Sequence, residues 1–179
     1  AANTTATIGG TGTITANFVA ATFSKTFNQT GISAGTTWGV TIGATRYTST
    51  GASVTISNLS GTVSYNYDDP TPAVSGVRYD CTTASCTGSV SSSSANPSAS
   101  YTRQYQITFA VLPAGSGTTA PTGTNWYNQG QALSISATPG AGNTFSNWTS
   151  TNASITFLSS TAANTTATIG GTGTITANF

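Results

Sequence analysis

Apolar residues recur at every second position along much of the chain, and short glycine-rich or polar stretches separate these runs. In the clearest case Tyr105, Ile107, Phe109 and Val111 share one face. A period of two is typical of β-strands with one buried face, and the abundant threonine is itself a strand former. The pattern predicts an all-β chain without significant helix, built from tandem small β-sandwich modules of Ig-like or grasp-like form.

Strand and turn signals divide the chain into two predicted modules. The first, residues 19–100, contains predicted strands at 22–27, 38–42, 53–57, 62–67, 77–80 and 88–91. The polar, serine-rich residues 91–100 are typical of a linker or mobile loop. The second module, residues 101–179, is expected to close with a hairpin whose strands flank a glycine cluster at 170–173.

Residues 1–18 and 162–179 are identical, letter for letter, in the sequence AANTTATIGGTGTITANF. The offset of about 161 residues is far longer than the ~20–50 residues of a solenoid repeat and suits a unit of one or two domains. We therefore expect residues 1–18 to be the closing hairpin of the preceding repeat unit. The expected partners are neighbouring copies of the protein, joined as covalent tandem units or head to tail by β-strand exchange. The alternative is one subunit that carries the same strands at both ends.

Charged residues make up 4% of the chain, against ~25% in ordinary soluble domains, and histidine is absent. Without a basic surface, nucleic acid is not an expected partner, and no apolar run approaches the length of a membrane span. Without histidine there is no Ser-His-Asp triad and no histidine metal site. The composition therefore indicates a protein that is not an enzyme, with no catalytic residue, no metal and no cofactor.

The two cysteines are separated by four residues. This spacing does not fit a CxxC redox motif, and two cysteines without histidine cannot complete a zinc site within one chain. We predict a local disulfide between Cys81 and Cys86. Because disulfides persist outside reducing compartments, this prediction indicates an extracellular, cell-surface location.

Asparagine lies six times in the acceptor pattern for N-glycosylation, Asn-X-Ser/Thr. These candidates are Asn3, Asn28, Asn58, Asn147, Asn152 and Asn164. In a chain so rich in serine and threonine the pattern also arises by chance. However, a β-rich surface with few charges has little to keep edge strands apart, and bulky sugars would separate them. Covalent glycans are therefore expected.

Aspartate and lysine offer two further candidate sites. Asp68 and Asp69 precede a proline and are typical turn formers. A calcium site that they would share with Asp80 is the alternative. Lys25, the sole lysine, is a candidate for the Lys–Asn cross-link of some surface modules, for which an aspartate would have to serve as the catalyst.

The aromatic side chains of Trp126, Tyr127 and Trp148 are candidates for a glycan-binding platform. Packing in the core or at a junction between modules is the alternative for such residues. Exposure of the two tryptophans side by side would favour the platform. Their burial against Ile107 and Phe109 would favour a spacer.

Several segments of the second module resemble the internalin B-repeat and its divergent relatives. They are YQITF at 105–109, GSGTTAPTGTNWY at 115–127, LSISATP at 133–139, FSNW at 145–148 and TITANF at 174–179. The first module, with FNQTGISAGTTWGV at 27–40, is similar to the β modules of archaeal thermopsin-like and S-layer-associated proteins. The resemblance implies a prokaryotic, archaeal surface protein with sandwich or grasp-like modules, and it does not extend to the protease part of thermopsin.

Together these observations indicate a structural repeat unit of an extracellular filament or cell-surface stalk, assembled from tandem β modules and glycosylated. The alternative is an adhesin segment that binds glycans through exposed tryptophan or tyrosine. The arrangement of the aromatic residues distinguishes the two.

Overall fold

The computed structural model describes residues 5–70, 72 and 74–179. These residues form fifteen strands and one short 3-10 turn, Ala84–Cys86. The strands of the first half are β1 (Thr22–Thr30), β2 (Trp38–Ile42), β3 (Thr45–Ser49), β4 (Ser53–Ser60), β5 (Val63–Tyr67), β6 (Val77–Cys81) and β7 (Thr87–Val90). Those of the second half are β8 (Ser98–Leu112), β9 (Gly117–Ala120), β10 (Thr124–Asn128), β11 (Ala132–Pro139), β12 (Asn147–Ser150), β13 (Thr156–Phe157), β14 (Asn164–Thr168) and β15 (Gly173–Asn178).

The fold class expected from the alternating pattern is confirmed, because the described residues are all-β. Among them, no helix has the length and apolar character needed to cross a membrane. The sandwich form of the modules stays a prediction, but the sheets described below are arranged in pairs around shared apolar clusters.

The first half forms two sheets around one apolar cluster. Strands β1 and β4 pair antiparallel, and the end of β1 pairs in parallel with the start of β8. Strands β3, β2, β5 and β7 form the second sheet in that order. Both sheets contribute to the cluster, which we call the first core: Phe27, Trp38, Val40, Ile56, Leu59, Tyr67, Tyr79, Val90, Ala99 and Tyr101.

Aromatic side chains fill much of the first core, and their polar atoms find partners there. The Trp38 indole N–H donates to the Gly51 carbonyl at 2.6 Å. The Tyr101 hydroxyl donates to the Asp68 carbonyl at 2.7 Å. Because a buried polar group destabilises the fold unless it is hydrogen-bonded, these bonds allow large amphipathic rings to serve as core residues.

The second half also forms two sheets around one cluster. One is the continuation of the β1–β4 sheet through the shared strand β8: it contains β12, β15 and β8 in that order, with β10 and β6 also paired to β8, so that these strands form one seven-stranded sheet. The other runs β13, β14, β11, β9. The shared cluster, which we call the second core, comprises Val77, Tyr105, Ile107, Phe109, Ile135, Ala137, Trp148, Ile155, Ala167, Ile169, Ile175 and Ala177.

The 15-residue strand β8 belongs to both halves. Its residues 98–100 pair with β1 and its residues 107–112 pair with β15, in both cases in parallel. Between these ends, β6 and β10 pair antiparallel with β8. The expected module boundary at residues 100 and 101 therefore lies inside a strand, and residues 98–100 are not a mobile linker. The division of the chain into two modules stays a prediction.

The last two strands are not the hairpin that the sequence predicts. Strand β14 pairs with β11 and β13, whereas β15 pairs with β8 and β12, so the two strands lie in different sheets. Residues 162–179 form an arch, which we call the terminal arch. The hairpin prediction is wrong because both arms carry apolar residues at alternate positions, and opposite sheets let both arms bury them in the second core.

Residues 5–21 form no strand, and all of them are exposed. Their backbone bends at Gly10 and Thr11, which correspond to Gly171 and Thr172 at the bend of the terminal arch. Residues 1–4 of the expected hairpin lie outside the described residues. That residues 1–18 close a preceding repeat unit stays a prediction.

Candidate functional site: the terminal arch and its exposed copy

The same sequence occupies two different environments in this structure. In the terminal arch, Ile169 and Ile175 are 0% exposed. Their copies Ile8 and Ile14 are 74% and 70% exposed. A large apolar side chain left in water forgoes roughly 1.5–3 kcal/mol of burial free energy. Residues 5–18, which we call the exposed copy, therefore lack the surface that buries their duplicate.

The terminal arch is held by residues outside it. Strand β14 lies between β11 and β13, and β15 lies between β8 and β12. The Trp148 indole N–H donates to the Ala162 carbonyl at 3.1 Å, and the Asn178 amide donates to Asn147 Oδ1 at 2.9 Å. We call strands β8–β13 the module body. Because both arms take their hydrogen-bond partners from the module body, an arch without a body leaves its backbone groups unpaired.

The predicted disulfide between Cys81 and Cys86 is confirmed. It closes a short loop that contains the 3-10 turn after β6. The backbone N–H of Cys81 donates to Asp69 Oδ1 at 2.9 Å, which ties the loop to the segment before β6. The disulfide is therefore a structural staple at the edge of the first core, against which Cys81 packs.

The adjacent aspartates take separate structural roles. Asp68 forms an ion pair with Arg46 and accepts a hydrogen bond from the Thr41 hydroxyl at 3.4 Å. Asp69 accepts the hydrogen bond from Cys81 just described. Across residues 5–70, 72 and 74–179, no group of three His, Cys, Asp or Glu side chains is placed to hold a metal ion. The contacts favour the structural interpretation of these aspartates over a calcium site with Asp80.

Lys25 is 5% exposed and points into the serine-rich loop before β8. Its Nζ donates to the Ser94 carbonyl and lies 3.5 Å from the Ser92 carbonyl. The ammonium also lies 5.9 Å from the centroid of the Phe23 ring. Because no aspartate is among these described contacts, they favour a lysine that fastens the loop over one that forms a cross-link.

The candidate glycosylation sites differ in their access to solvent. Asn58 is exposed, with a positive φ of 61°, and Asn164 is exposed on β14. The candidates that are half-buried and hydrogen-bonded through their side chains are Asn28, Asn147 and Asn152. Asn3 lies outside the described residues. The amide nitrogens of Asn28 and Asn152 donate hydrogen bonds to backbone carbonyls, whereas Asn147 accepts through Oδ1. Since a sugar must reach the amide nitrogen, solvent exposure favours Asn58 and Asn164.

The three candidate glycan-binding aromatics do not share one surface. Trp148 is 2% exposed within the second core. Tyr127 packs edge-on against Phe109, with ring centroids 6.3 Å apart, and burial raises the pKa of its hydroxyl. Trp126 is half-buried and lies against Arg78 instead. The two tryptophans are therefore not side by side, and the burial of Trp148 is the arrangement expected of a spacer.

The structure contains one polar cluster that the sequence does not predict. The Arg78 guanidinium lies 4.5 Å from the centroid of the Trp126 ring, within cation–π range. Gln104 accepts from Arg78 Nε at 2.7 Å and donates to Asn128 Oδ1 at 2.8 Å. These residues come from β6, β8 and β10, which are far apart in the chain. No spacing in the sequence signals their contact, because only the pairing of β8 with both neighbours creates it.

The comparison with known families concerns the second half. The sequence model of the family described as Divergent InlB B-repeat domain matches residues 107–179, which include part of β8, strands β9–β13 and the terminal arch. No curated protein and no solved structure matches the chain significantly. An archaeal source and the thermopsin-like character of the first half have no support from these comparisons. Residues 107–179 are thus similar to a divergent internalin B-repeat, a surface repeat module, and the terminal arch forms the end of the matched segment.

Proposed function

We propose that the chain is a structural repeat unit of an extracellular filament or cell-surface stalk of a prokaryote, assembled from tandem β modules. One observation carries the proposal: the sequence of the arch that completes the B-repeat-like segment is present twice, and its copy at residues 5–18 is exposed. When the sequence that ends a module also occurs one repeat length upstream, the pattern indicates a tandem array. The partners are neighbouring copies of the unit.

Strand β8 supports a structural role. It contributes Ala99 and Tyr101 to the first core, and Tyr105, Ile107 and Phe109 to the second. A strand of 15 residues spans about 50 Å at ~3.3 Å per residue. Because one hydrogen-bonded strand runs through both cores, the two halves of a unit bend less easily than domains joined by a flexible linker.

The disulfide and the low charge of this chain fit an extracellular location. The disulfide between Cys81 and Cys86 is of a kind that persists in oxidising surroundings. With 4% charged residues, the β surface needs another source of solubility, and glycans on Asn58 and Asn164 would supply it. A stalk or filament requires no catalytic group, which fits a chain without histidine.

Immunogold electron microscopy of the cells that make the protein tests this proposal. Antibodies against the folded chain are expected to label extracellular fibres or stalks. The mass of the natural polypeptide, measured before and after deglycosylation, then gives the number of units and the glycan content. Gold confined to the cytoplasm would contradict the proposal.

Glycan binding is the second candidate function, and Trp126 is the observation that favours it. Its ring lies beside the exposed Arg78 and the hydrogen-bonded pair of Gln104 and Asn128, groups that commonly bind sugars. A glycan array probed with the whole protein tests this function, with Trp126→Ala as the variant and Thr124→Ala on the same strand as the matched control. Loss of binding only in Trp126→Ala would support an adhesin. No binding by the unmodified protein would remove this candidate.

A further inference from the structure

The exposed copy has the sequence of the terminal arch and bends at the same two positions. We propose that residues 5–18 are the arch of a preceding unit of the same polypeptide, docked on that unit's module body, and that residues 19–21 are the whole junction between units. The inference rests on the proposed function in one respect, namely that the interval between the two identical segments is a repeat unit.

Glycine positions in the exposed copy support docking. In the terminal arch, a Cβ on Gly170 would lie 2.2 Å from the Ser154 carbonyl oxygen, and one on Gly171 would lie 2.5 Å from Asn152 Nδ2. At the corresponding Gly9 and Gly10, a Cβ would meet nothing within 4 Å. Glycine permits close approach to a neighbouring backbone or side chain. Steric contact therefore explains the glycines of the exposed copy only if a module body lies against them.

A count of arches and bodies disfavours a second copy of this chain as the partner. The described residues contain one module body and two copies of the arch sequence, of which one is docked and one is exposed. If the exposed copy of one molecule entered the body of another, it would displace an identical arch, and the apolar area removed from water would not increase. If the exposed copy docks on a module body that has no other arch, apolar area is removed from water. In the proposed array, the preceding unit provides such a body, and residues 5–18 are its arch.

The junction that follows from this arrangement is short. Strand β15 ends at Asn178, which corresponds to Asn17, and β1 begins at Thr22. Phe179 packs against Phe145 with ring centroids 5.9 Å apart, whereas its copy Phe18 is 93% exposed. Docking would bury Phe18 in the same way. Because extended residues span at most ~3.6 Å each, residues 19–21 leave little freedom between successive units.

A two-unit polypeptide, residues 1–161 followed by residues 1–179, tests the proposal by hydrogen–deuterium exchange. The eighteen-residue sequence then occurs three times beside two module bodies. We expect slow exchange in about two thirds of this peptide population, against about half in the chain 1–179, because docked strands are protected and exposed segments are not. Slow exchange in only about one third of the population would overturn the proposal, since the arch at the junction would have failed to dock once β1 follows it.

Substitutions at Ile14 assign the signal to individual copies. Ile14→Val, made in one copy at a time, gives that copy's peptide a separate mass with little change in packing. Ile14→Asp is the disruptive variant: at the junction it should abolish protection of its peptide, and in the first copy it should change nothing. Equal effects at the two places would refute the assignment.

The dependence of hydrogen–deuterium exchange on protein concentration distinguishes the proposed arrangement from arch exchange between molecules. In the chain 1–179 with Ile14→Val marking the first copy, protection that passes from the peptide of the terminal arch to the peptide of the first copy as protein concentration rises would show arches moving between chains. That result would overturn the preceding-unit assignment. The outcome is independent of the immunogold result. Arches can dock in a protein that is not a surface filament, and a surface filament can form without this junction.

Discussion

Replacing Ile175 by alanine should destabilise the second half of the protein, and the same replacement at Ile14 should not. Ile175 is 0% exposed, lies opposite Phe109 in the parallel pairing of β15 with β8, and belongs to the second core. The truncation removes three carbon groups, worth ~0.8 kcal/mol each in transfer free energy. The cavity raises the expected loss to about 3–4 kcal/mol, within the range of ~2–5 kcal/mol for such changes. Ile14 is 70% exposed, so its truncation should stay within about 0.5 kcal/mol.

Urea unfolding followed by tryptophan fluorescence measures the difference, because Trp148 belongs to the same core as Ile175. The local sequence is identical at both sites, so propensity and unfolded-state effects cancel in the comparison. A loss below about 1 kcal/mol at Ile175, or above about 1 kcal/mol at Ile14, would refute the assignment of one buried and one exposed arch. The double variant adds a check: a loss larger than the sum of the two would show that the exposed copy replaces a damaged terminal arch.

The remaining predictions concern the disulfide, alkaline pH and glycosylation. Replacing both Cys81 and Cys86 by serine should lower the free energy of unfolding by about 2 kcal/mol on the loop-entropy model; an unchanged urea midpoint would contradict a stapling role. The melting temperature should stay level between about pH 5 and 8, since the chain has no histidine. Burial raises the pKa of the Tyr67 and Tyr101 hydroxyls in the folded state. Their contribution to stability is therefore complete below the unfolded pKa of ~10 and is lost as pH rises beyond it. Melts at rising pH should show this decline, Tyr67→Phe should make it shallower, and an equally steep decline in that variant would count against the reasoning. Glycopeptide mass spectrometry of the natural protein should find sugar on the exposed Asn58, and a bare asparagine there would rule this site out.

Strand positions with strong alternation follow from the sequence. The expected strand at 38–42 coincides with β2, and the alternating face of 105–111 lies within β8. Strands β3, β9 and β10 were not expected. Their sequences, TRYTS, GTTA and TNWYN, carry too few apolar residues for a period of two to stand out. Two of them, β3 and β9, are edge strands of their sheets, where pairing on one side suffices without a strong apolar face.

Residue type alone does not separate the two tryptophans of the second half. In the sequence, Trp126 and Trp148 have the same two interpretations, a glycan-binding platform or packing in the core or at a junction between modules. The fold places Trp148 under the terminal arch, where its indole N–H meets the Ala162 carbonyl. It places Trp126 beside Arg78, from a strand that the sequence assigns to the other module. The pairing of strands that are distant in the chain therefore determines which tryptophan is buried in the core and which lies at the surface.

What the sequence determined by itself was local or repetitive: the all-β class, the disulfide between cysteines separated by four residues, and the duplication of residues 162–179. What only the tertiary structure decided was pairing: the passage of β8 through both cores, and the separation of β14 and β15 into different sheets. The physical reason is that alternation specifies which side chains share a face, whereas the choice of neighbouring strand depends on which arrangement buries those faces together. That arrangement is a property of the whole chain, so the same eighteen-residue sequence packs in the second core at residues 162–179 and is exposed over residues 5–18.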